Sequence, residues 1–341
     1  MTGVATGLYN QCHTPAMRIL ITGAAGYLGS QLCHYLRNSG HQLFGLDNLS
    51  TGLAENWAAC TQIPCDLRDA NAADMALRTV EPNCVIHLAS LSEVRTHVPA
   101  ETYHLNNVVG TQNLLKAMAL SSTRHMITIS SACVYGPGAA TPLTETSPLQ
   151  AISAYGRNKL DIERLLAQAT DLHSVILRPF VISGFLENYS GAKSKPYERH
   201  LIPSICRVGA SHAGTPLRIN GSNWPTADGT CVRDFIHVAD VCNAIALSLD
   251  HLANGGSNVT LNLGTGRGTS ILSALAAYNR LTGRDVPYEF TSANPADASI
   301  LIADTSCTAQ ILHWKPRFNF EDILQSEIAA EQRIIGYSLS A

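Results

Sequence analysis

The chain has 341 residues, a prior of about two domains at roughly 150 residues each, which excludes a peptide factor or a disulfide mini-scaffold. Lys plus Arg number 23 against 26 for Asp plus Glu, a net charge of −3, and charged types make up 14%, so there is no basic field to hold nucleic acid. Apolar types at 45%, spread evenly, exclude a disordered chain.

Residues 1–16 lack the charged start and apolar centre of a signal peptide and carry no lipidation pattern; they read as a disordered leader before Met17. The stretch from Arg18 to Arg37 is interrupted by Gly23, Gly26, Gly29, Ser30, Gln31 and His34, which argues against a membrane span and for strand, glycine loop and helix. Short apolar runs at 18–22, 42–47, 63–66, 85–88, 125–130 and 174–179 then alternate with helix patterns at 27–39, 69–79, 100–120 and 154–170. That rhythm predicts an α/β fold with a Rossmann-type doubly wound parallel sheet.

After Phe180, Gly and Pro punctuate a loop-rich insertion running to Gly229. A helix at 238–252 and a strand at 260–263 return the chain to the first domain. The expected division is therefore a Rossmann-type domain over 17–180 and 234–268, and a smaller, discontinuous mixed α/β second domain over 181–233 and 269–341. Ten cysteines, Cys12 among them, lie scattered without a Cys-x-x-Cys pair or metal-spaced histidines. They read as reduced thiols of a cytoplasmic protein, with no metal site.

Thr22 to Gly29 (Thr-Gly-Ala-Ala-Gly-Tyr-Leu-Gly) sits between a strand and a helix, the place where glycines let a backbone approach a pyrophosphate at a positive helix end. Asp47 ends the second strand, where a carboxylate accepts both ribose hydroxyls and repels the 2′-phosphate of NADP; the cofactor expected is NAD. Asp66 has two readings, a bond to the adenine amine or a helix cap shared with Asp69. Tyr155 and Lys159 stand at i and i+4 on one helix face, and Ser131 follows the carboxyl end of a strand, on the ligand-binding edge of such sheets. An adjacent ammonium and a cationic nicotinamide both favour the phenolate, which would make Tyr155 a usable proton acceptor.

These residues resemble the extended short-chain dehydrogenase/reductases, and within them the UDP-galactose 4-epimerases, from Met17 to about Arg333. The general motifs are Thr22 to Gly29, Asp47 to Ser50, Val85 to Ala89, Asn107 to Thr111, Ser130 to Gly136 and Tyr155 to Lys159; the narrower one is Asn223 to Val238. The resemblance implies a cofactor set of Gly23, Gly26, Tyr27, Leu28, Gly29, Asp47, Asn48, Asp66, Leu67, Leu88, Ala89, Asn107, Tyr155 and Lys159. It also implies that Ser131 hydrogen-bonds the reacting hydroxyl, that Tyr155 removes its proton and that Lys159 holds the nicotinamide ribose. A hydride leaves sugar C4 for NAD and returns to the other face of the 4-keto sugar. Arg233 matches a position contacting the nucleotide diphosphate, its plain alternative being an ion pair with Asp234 or Asp240, and Asp297 matches one near the nucleotide ribose. In the resembling family, helices such as those at 100–120 and 154–170 also pair two subunits, so the resemblance implies a homodimer.

The chain departs from that pattern. Val181 and His200 replace asparagines that hold the nucleotide, Asn294 replaces an arginine, Ser92 a lysine at the NAD ribose, and Leu301 an aromatic or small gate residue. Lys193, Lys195 and Arg199 are the candidate replacement cations. Ala132 and Cys133 stand where 4,6-dehydratases carry their acid pair, which disfavours water elimination. His87, Trp224 and Trp314 read as packing residues. The expectation is an NAD-dependent C4 epimerase of a nucleotide-linked sugar; the alternatives are another nucleotide-sugar oxidoreductase, decarboxylase or dehydratase on this scaffold, or a non-catalytic NAD-binding regulator.

Overall fold

The computed structural model describes residues 15–92, 98–137, 141–211, 215–294 and 297–339, with the backbone alone at 195–196 and 334–339. The first fourteen residues of the expected leader, and Cys12 with them, lie outside these. The strands are β1 (Arg18–Thr22), β2 (Gln42–Asp47), β3 (Thr61–Pro64), β4 (Cys84–His87), β5 (His125–Ile129), β6 (His173–Pro179), β7 (Val181–Ser183), β8 (Leu217–Asn220), β9 (Val232–His237), β10 (Val259–Leu263), β11 (Gly268–Ser270), β12 (Tyr288–Thr291) and β13 (Ile300–Leu301).

Seven of them form one parallel sheet in the order β10-β6-β5-β4-β1-β2-β3. The order reverses beside β1, and at such a switch point the carboxyl ends of neighbouring strands open a crevice. Central strands such as Ile19-Leu20-Ile21 are buried on both faces, so their sequence is continuously apolar rather than alternating. One face packs on helices Tyr27–Leu36 and Val238–Ala253, the other on Ala70–Val80, Gly110–Ala119 and Ala154–Gln168.

Two small sheets lie beyond this layer. In one, β9 pairs antiparallel with β11 and parallel with β13 and β7; in the other, β8 pairs parallel with β12. Helices Leu201–Ala210, Ile271–Thr282 and Phe320–Leu339 pack with them around a separate cluster that includes Ile202, Phe235, Tyr278 and Leu324. The expected domain switch at 233/234 falls inside β9.

Two elements differ from the sequence expectation. The third strand runs from 61 to 64 instead of 63 to 66, because Pro64 has no amide hydrogen to extend the ladder and Asp66 turns back on the Arg68 amide at 2.9 Å. The helix expected over 100–120 is broken in its middle by a π-helical stretch, His104–Val109. No helix among the described residues is long and apolar enough to cross a membrane.

Candidate active site

The carboxyl ends of the large sheet and the small sheets facing them enclose a cavity of about 780 Å³. On the sheet side it is bounded by the glycine loop. Gly23 has φ +71°, and a Cβ there would lie 2.7 Å from the Ala89 amide nitrogen; a Cβ on Gly29 would collide with the Gly23 carbonyl. Helix Tyr27–Leu36 begins at Gly26 in extended conformation with no side chain capping its first amides, and Gly26, Tyr27, Leu28 and Gly29 all line the cavity. This cradle, with a positive helix end aimed into it, fits the pyrophosphate of a dinucleotide.

Asp47 lines the same wall at the end of β2. Its Oδ2 accepts from the Ala25 amide at 3.0 Å and its Oδ1 from the Leu49 amide at 2.8 Å, which fixes the carboxylate; burial pushes its pKa up while those amides oppose the rise. Asp66 is not a helix cap. Asp69 caps helix Ala70–Val80 through the Asn71 and Ala72 amides, whereas Asp66 lines the cavity and pairs with Arg68 at 2.5 Å, whose guanidinium holds the carboxyl down at about 2. Asn48 donates to Asp66 at 3.2 Å. Leu67, Leu88 and Ala89 also line the cavity.

Asn107 does not line it. The side chain lies beneath the loop, accepting from the Leu91 amide at 2.7 Å and donating to the Leu91 carbonyl at 3.1 Å, so it shapes the wall through Leu91. His87 is likewise enclosed, its ring nitrogens 2.8 Å from Thr22 Oγ1 and 2.9 Å from Thr111 Oγ1.

The reactive groups stand where β5 ends against helix Ala154–Gln168. Ser153 caps this helix through the Gly156 amide, which sets its first turn over the end of the sheet. Ser131, Tyr155 and Lys159 all line the cavity, and Lys159 Nζ lies 5.6 Å from the Tyr155 ring centroid. In the protein alone, burial raises the Tyr155 phenol above its ordinary value, and the neighbouring Cys133 thiol adds to this; the Ser131 hydroxyl pulls the other way. Lys159 donates to the Ile129 carbonyl at 2.8 Å. Burial pushes its ammonium down to about 8 against the pull of the Glu163 carboxylate. The phenolate expected from the sequence therefore depends on more than the lysine.

The opposite wall carries Val181, His200, Arg233 and Asp297. Val181 begins β7; His200 precedes helix Leu201–Ala210 without capping it by its side chain, and burial lowers its ring pKa. Arg233 Nη1 donates to the Val232 carbonyl at 2.9 Å. Asp234 and Asp240, the alternative partners, direct their carboxylates elsewhere: Asp234 to Thr265, Gly266 and Ala303, Asp240 to the Arg317 and Phe318 amides.

Of the candidate cations, Lys193 is buried between Glu327 at 2.7 Å and Glu331 at 2.5 Å and does not line the cavity, Lys195 has no described side chain, and Arg199 lines it. Sequence reasoning passed over Arg218 and Asn220, which are also on the lining, as is Cys133. The first two belong to the Leu-Arg-Ile-Asn run of β8, whose alternation marks a strand with one polar face. Trp224 does not line the cavity, and Trp314 is in the core, donating to the Asp240 carbonyl at 3.0 Å.

A glycine cradle for a dinucleotide facing a serine, tyrosine and lysine across one crevice defines a dinucleotide-dependent enzyme of the doubly wound class. The NAD dependent epimerase/dehydratase family matches residues 19–264. The UDP-glucose 4-epimerase of Rhizobium leguminosarum bv. trifolii is 35% identical over 316 residues, 90% of this chain and 95% of that protein. The UDP-glucose 4-epimerase of Brucella ovis in complex with NAD superposes with a TM-score of 0.86 at 35% identity, covering 91% of this chain and 97% of that one. The enzyme of that name from Stenotrophomonas maltophila, with bound NAD and formylated UDP-arabinopyranose, gives 0.85 at 32%, covering 95% and 100%. The chain belongs to the NAD-dependent epimerase/dehydratase family.

Proposed function

We propose that the protein is an NAD-dependent epimerase that inverts C4 of a nucleotide-linked sugar. The observation that carries the reading is the convergence of Ser131, Tyr155 and Lys159 on the cavity wall beside the glycine cradle. Bound NAD would supply a reversible hydride acceptor at C4, so that the inversion would involve no net redox change. The residues that would hold it are the glycine loop, with Asp47 at the adenosine ribose and Lys159 at the nicotinamide ribose.

Ser131 orients the C4 hydroxyl and donates to its oxygen as the proton leaves. Tyr155 accepts that proton and later returns it; burial, which raises its pKa, also keeps water from competing for the same proton. Lys159 stabilises the phenolate, and the positive charge of an oxidised nicotinamide would add to this. On the far wall, Arg233, Arg199 and Arg218 face the cavity as guanidinium donors for a diphosphate, which compensates the valine and asparagine at 181 and 294. At the positions after Ser131, Ala132 has nothing to titrate and burial keeps the Cys133 thiol protonated, against an elimination reaction.

Two finer readings belong with this one. The described cysteines are all free thiols, which supports a reducing, cytoplasmic setting. Exposed apolar side chains at Val98, Leu105 and Leu149, beside or on the helices 100–119 and 154–168, support a homodimer.

UDP-, GDP-, dTDP- and CDP-hexoses incubated with the protein and followed by NMR at C4 test the reading. The expected result is interconversion of at least one C4 epimer pair, and a loss of about 1,000-fold in Tyr155→Phe with NAD binding retained. Turnover of none of these sugars, or full activity in the phenylalanine variant, overturns it.

A further inference from the structure

Three consecutive residues at the end of β5 are each set against a different turn of helix Ala154–Gln168. Ser131 shares the cavity wall with Tyr155, the Ile129 carbonyl accepts from Lys159 Nζ at 2.8 Å, and the Ser130 hydroxyl donates to Glu163 Oε1. The helix partners are spaced by four, so they form one stripe down one face. Two of the three pairings carry groups used in the proposed reaction; the third does not. Yet Glu163 is the most heavily bound of the stripe. Arg178 of β6 reaches it with Nε at 3.0 Å and Nη2 at 2.6 Å in a buried bidentate pair, and Arg178 Nη1 continues to the Tyr135 hydroxyl at 3.0 Å, which donates to Asn262 Oδ1 of β10 at 2.7 Å. Ser130 is also pinned to the next strand, its amide donating to the Leu177 carbonyl at 2.7 Å.

We propose that Glu163 is a positioning residue for the epimerase: held by Ser130 and Arg178, it sets the register of helix Ala154–Gln168 on β5 and supplies the negative charge that keeps Lys159 a cation. The proposal rests on the catalytic reading of Tyr155 and Lys159 given above. Ionisable groups that face the lysine are Tyr155 and Glu163 from its own helix and His87 from β4, with Arg178 of β6 behind Glu163. His87 is enclosed by Thr22 and Thr111 and kept neutral by burial. Glu163 is therefore the carboxylate on the lysine's side of the site, one helical turn away. A carboxylate at that distance favours the ammonium form, and the ammonium favours the phenolate.

A buried Glu–Arg pair could serve stability alone, so the test uses readouts that a staple would not move. In Glu163→Gln the alkaline limb of the kcat–pH profile, where Lys159 loses its proton, is expected to move about one unit toward acid, with kcat near pH 7.5 down roughly tenfold and KM for the sugar within about twofold. Glu163→Asp should recover part of the shift. Ser130→Ala removes a hydroxyl and leaves the ion pair, so it folds even where the glutamine variant does not; its kcat should fall about fivefold at constant KM and constant NAD affinity. Wild-type kcat and pH profile in Ser130→Ala, and in Glu163→Gln where it folds, overturn the proposal. Tyr155→Phe is measured alongside. If that variant is inactive while the other two behave as wild type, only the positioning role falls; if it is fully active, the catalytic reading falls and the proposal with it.

Discussion

At the residue scale, His87 shows how burial decides what a titratable group does. Its ring bridges two threonine hydroxyls at the centre of the sheet, and burial, with Lys159 nearby, pushes its pKa down to about 3. Unfolded, the same ring titrates near 6.5, so between about 3 and 6.5 the unfolded chain binds the extra proton and stability falls as pH is lowered. The slope is about 1.4 kcal/mol per pH unit once the pH is well below roughly 6. Asp240 acts in the opposite sense: burial raises its carboxyl to about 6, so its contribution weakens as pH rises from about 4 to 6. Urea unfolding of wild type and His87→Asn at pH 5 and pH 7 separates the two. The variant should lose less stability on acidification, and an unchanged difference would show that the ring does not set the acid limb. The glycine loop, Asp47 and the Ser131, Tyr155, Lys159 set could be read from spacing, because each depends on local geometry. Arg218 and Asn220 could not, since what makes them cavity residues is the placement of β8 opposite the large sheet.

At the scale of elements, the segment before helix Leu201–Ala210 is held by charge. Lys193, a candidate ligand by composition, is enclosed by Glu327 and Glu331 of helix Phe320–Leu339, and Glu327 Oε2 also accepts from the Tyr197 hydroxyl at 2.7 Å. Glu327 is fully buried. Replacing it by leucine leaves Tyr197 without an acceptor and Lys193 with Glu331 alone, a loss of about 3 kcal/mol in denaturant unfolding. Adding Lys193→Met should return part of that loss, because the uncompensated buried charge goes with it; an additive double variant would exclude the coupling. The π-helical stretch His104–Val109 belongs to this scale too. Its apolar spacing predicts an ordinary helix, and what sets it apart is tertiary: Asn107 is turned to clasp Leu91, and Gly110 brings the next turn against Leu67, where a Cβ would stand 3.3 Å from the Leu67 side chain.

Across the whole molecule, the two halves meet through the first helix of the dinucleotide site. Tyr27 of the glycine loop stacks on Tyr197 with ring centroids 3.6 Å apart and donates to the Gly184 carbonyl at 2.6 Å; one turn on, Ser30 and Gln31 accept from the Tyr189 hydroxyl and the Leu186 amide. The cofactor loop and the segment leading to Arg199 and His200 thus share one buried seam, so the cavity is built jointly. The outer surface carries the remaining expectation. Leu105 and Leu149 are 42% and 37% exposed, which suits a self-complementary apolar face. In sedimentation at micromolar concentration the wild type is expected as a dimer, with Leu105→Glu and Leu149→Glu shifted toward monomer while NAD binding persists. A monomeric wild type would refute this.

Alternation of apolar runs with helical patterns already determined the parallel sheet and its neighbours, since period and length depend on nearest residues. The glycine spacing and the i, i+4 pair likewise marked out residues that line one wall of the cavity. Tertiary structure alone decided which charges face the cavity: Lys193 is taken by two glutamates, Arg218 is brought in from a distant strand, and Asn107 is turned away to hold a loop. Those outcomes depend on desolvation and on partners far apart in the chain, and neither is written in local spacing.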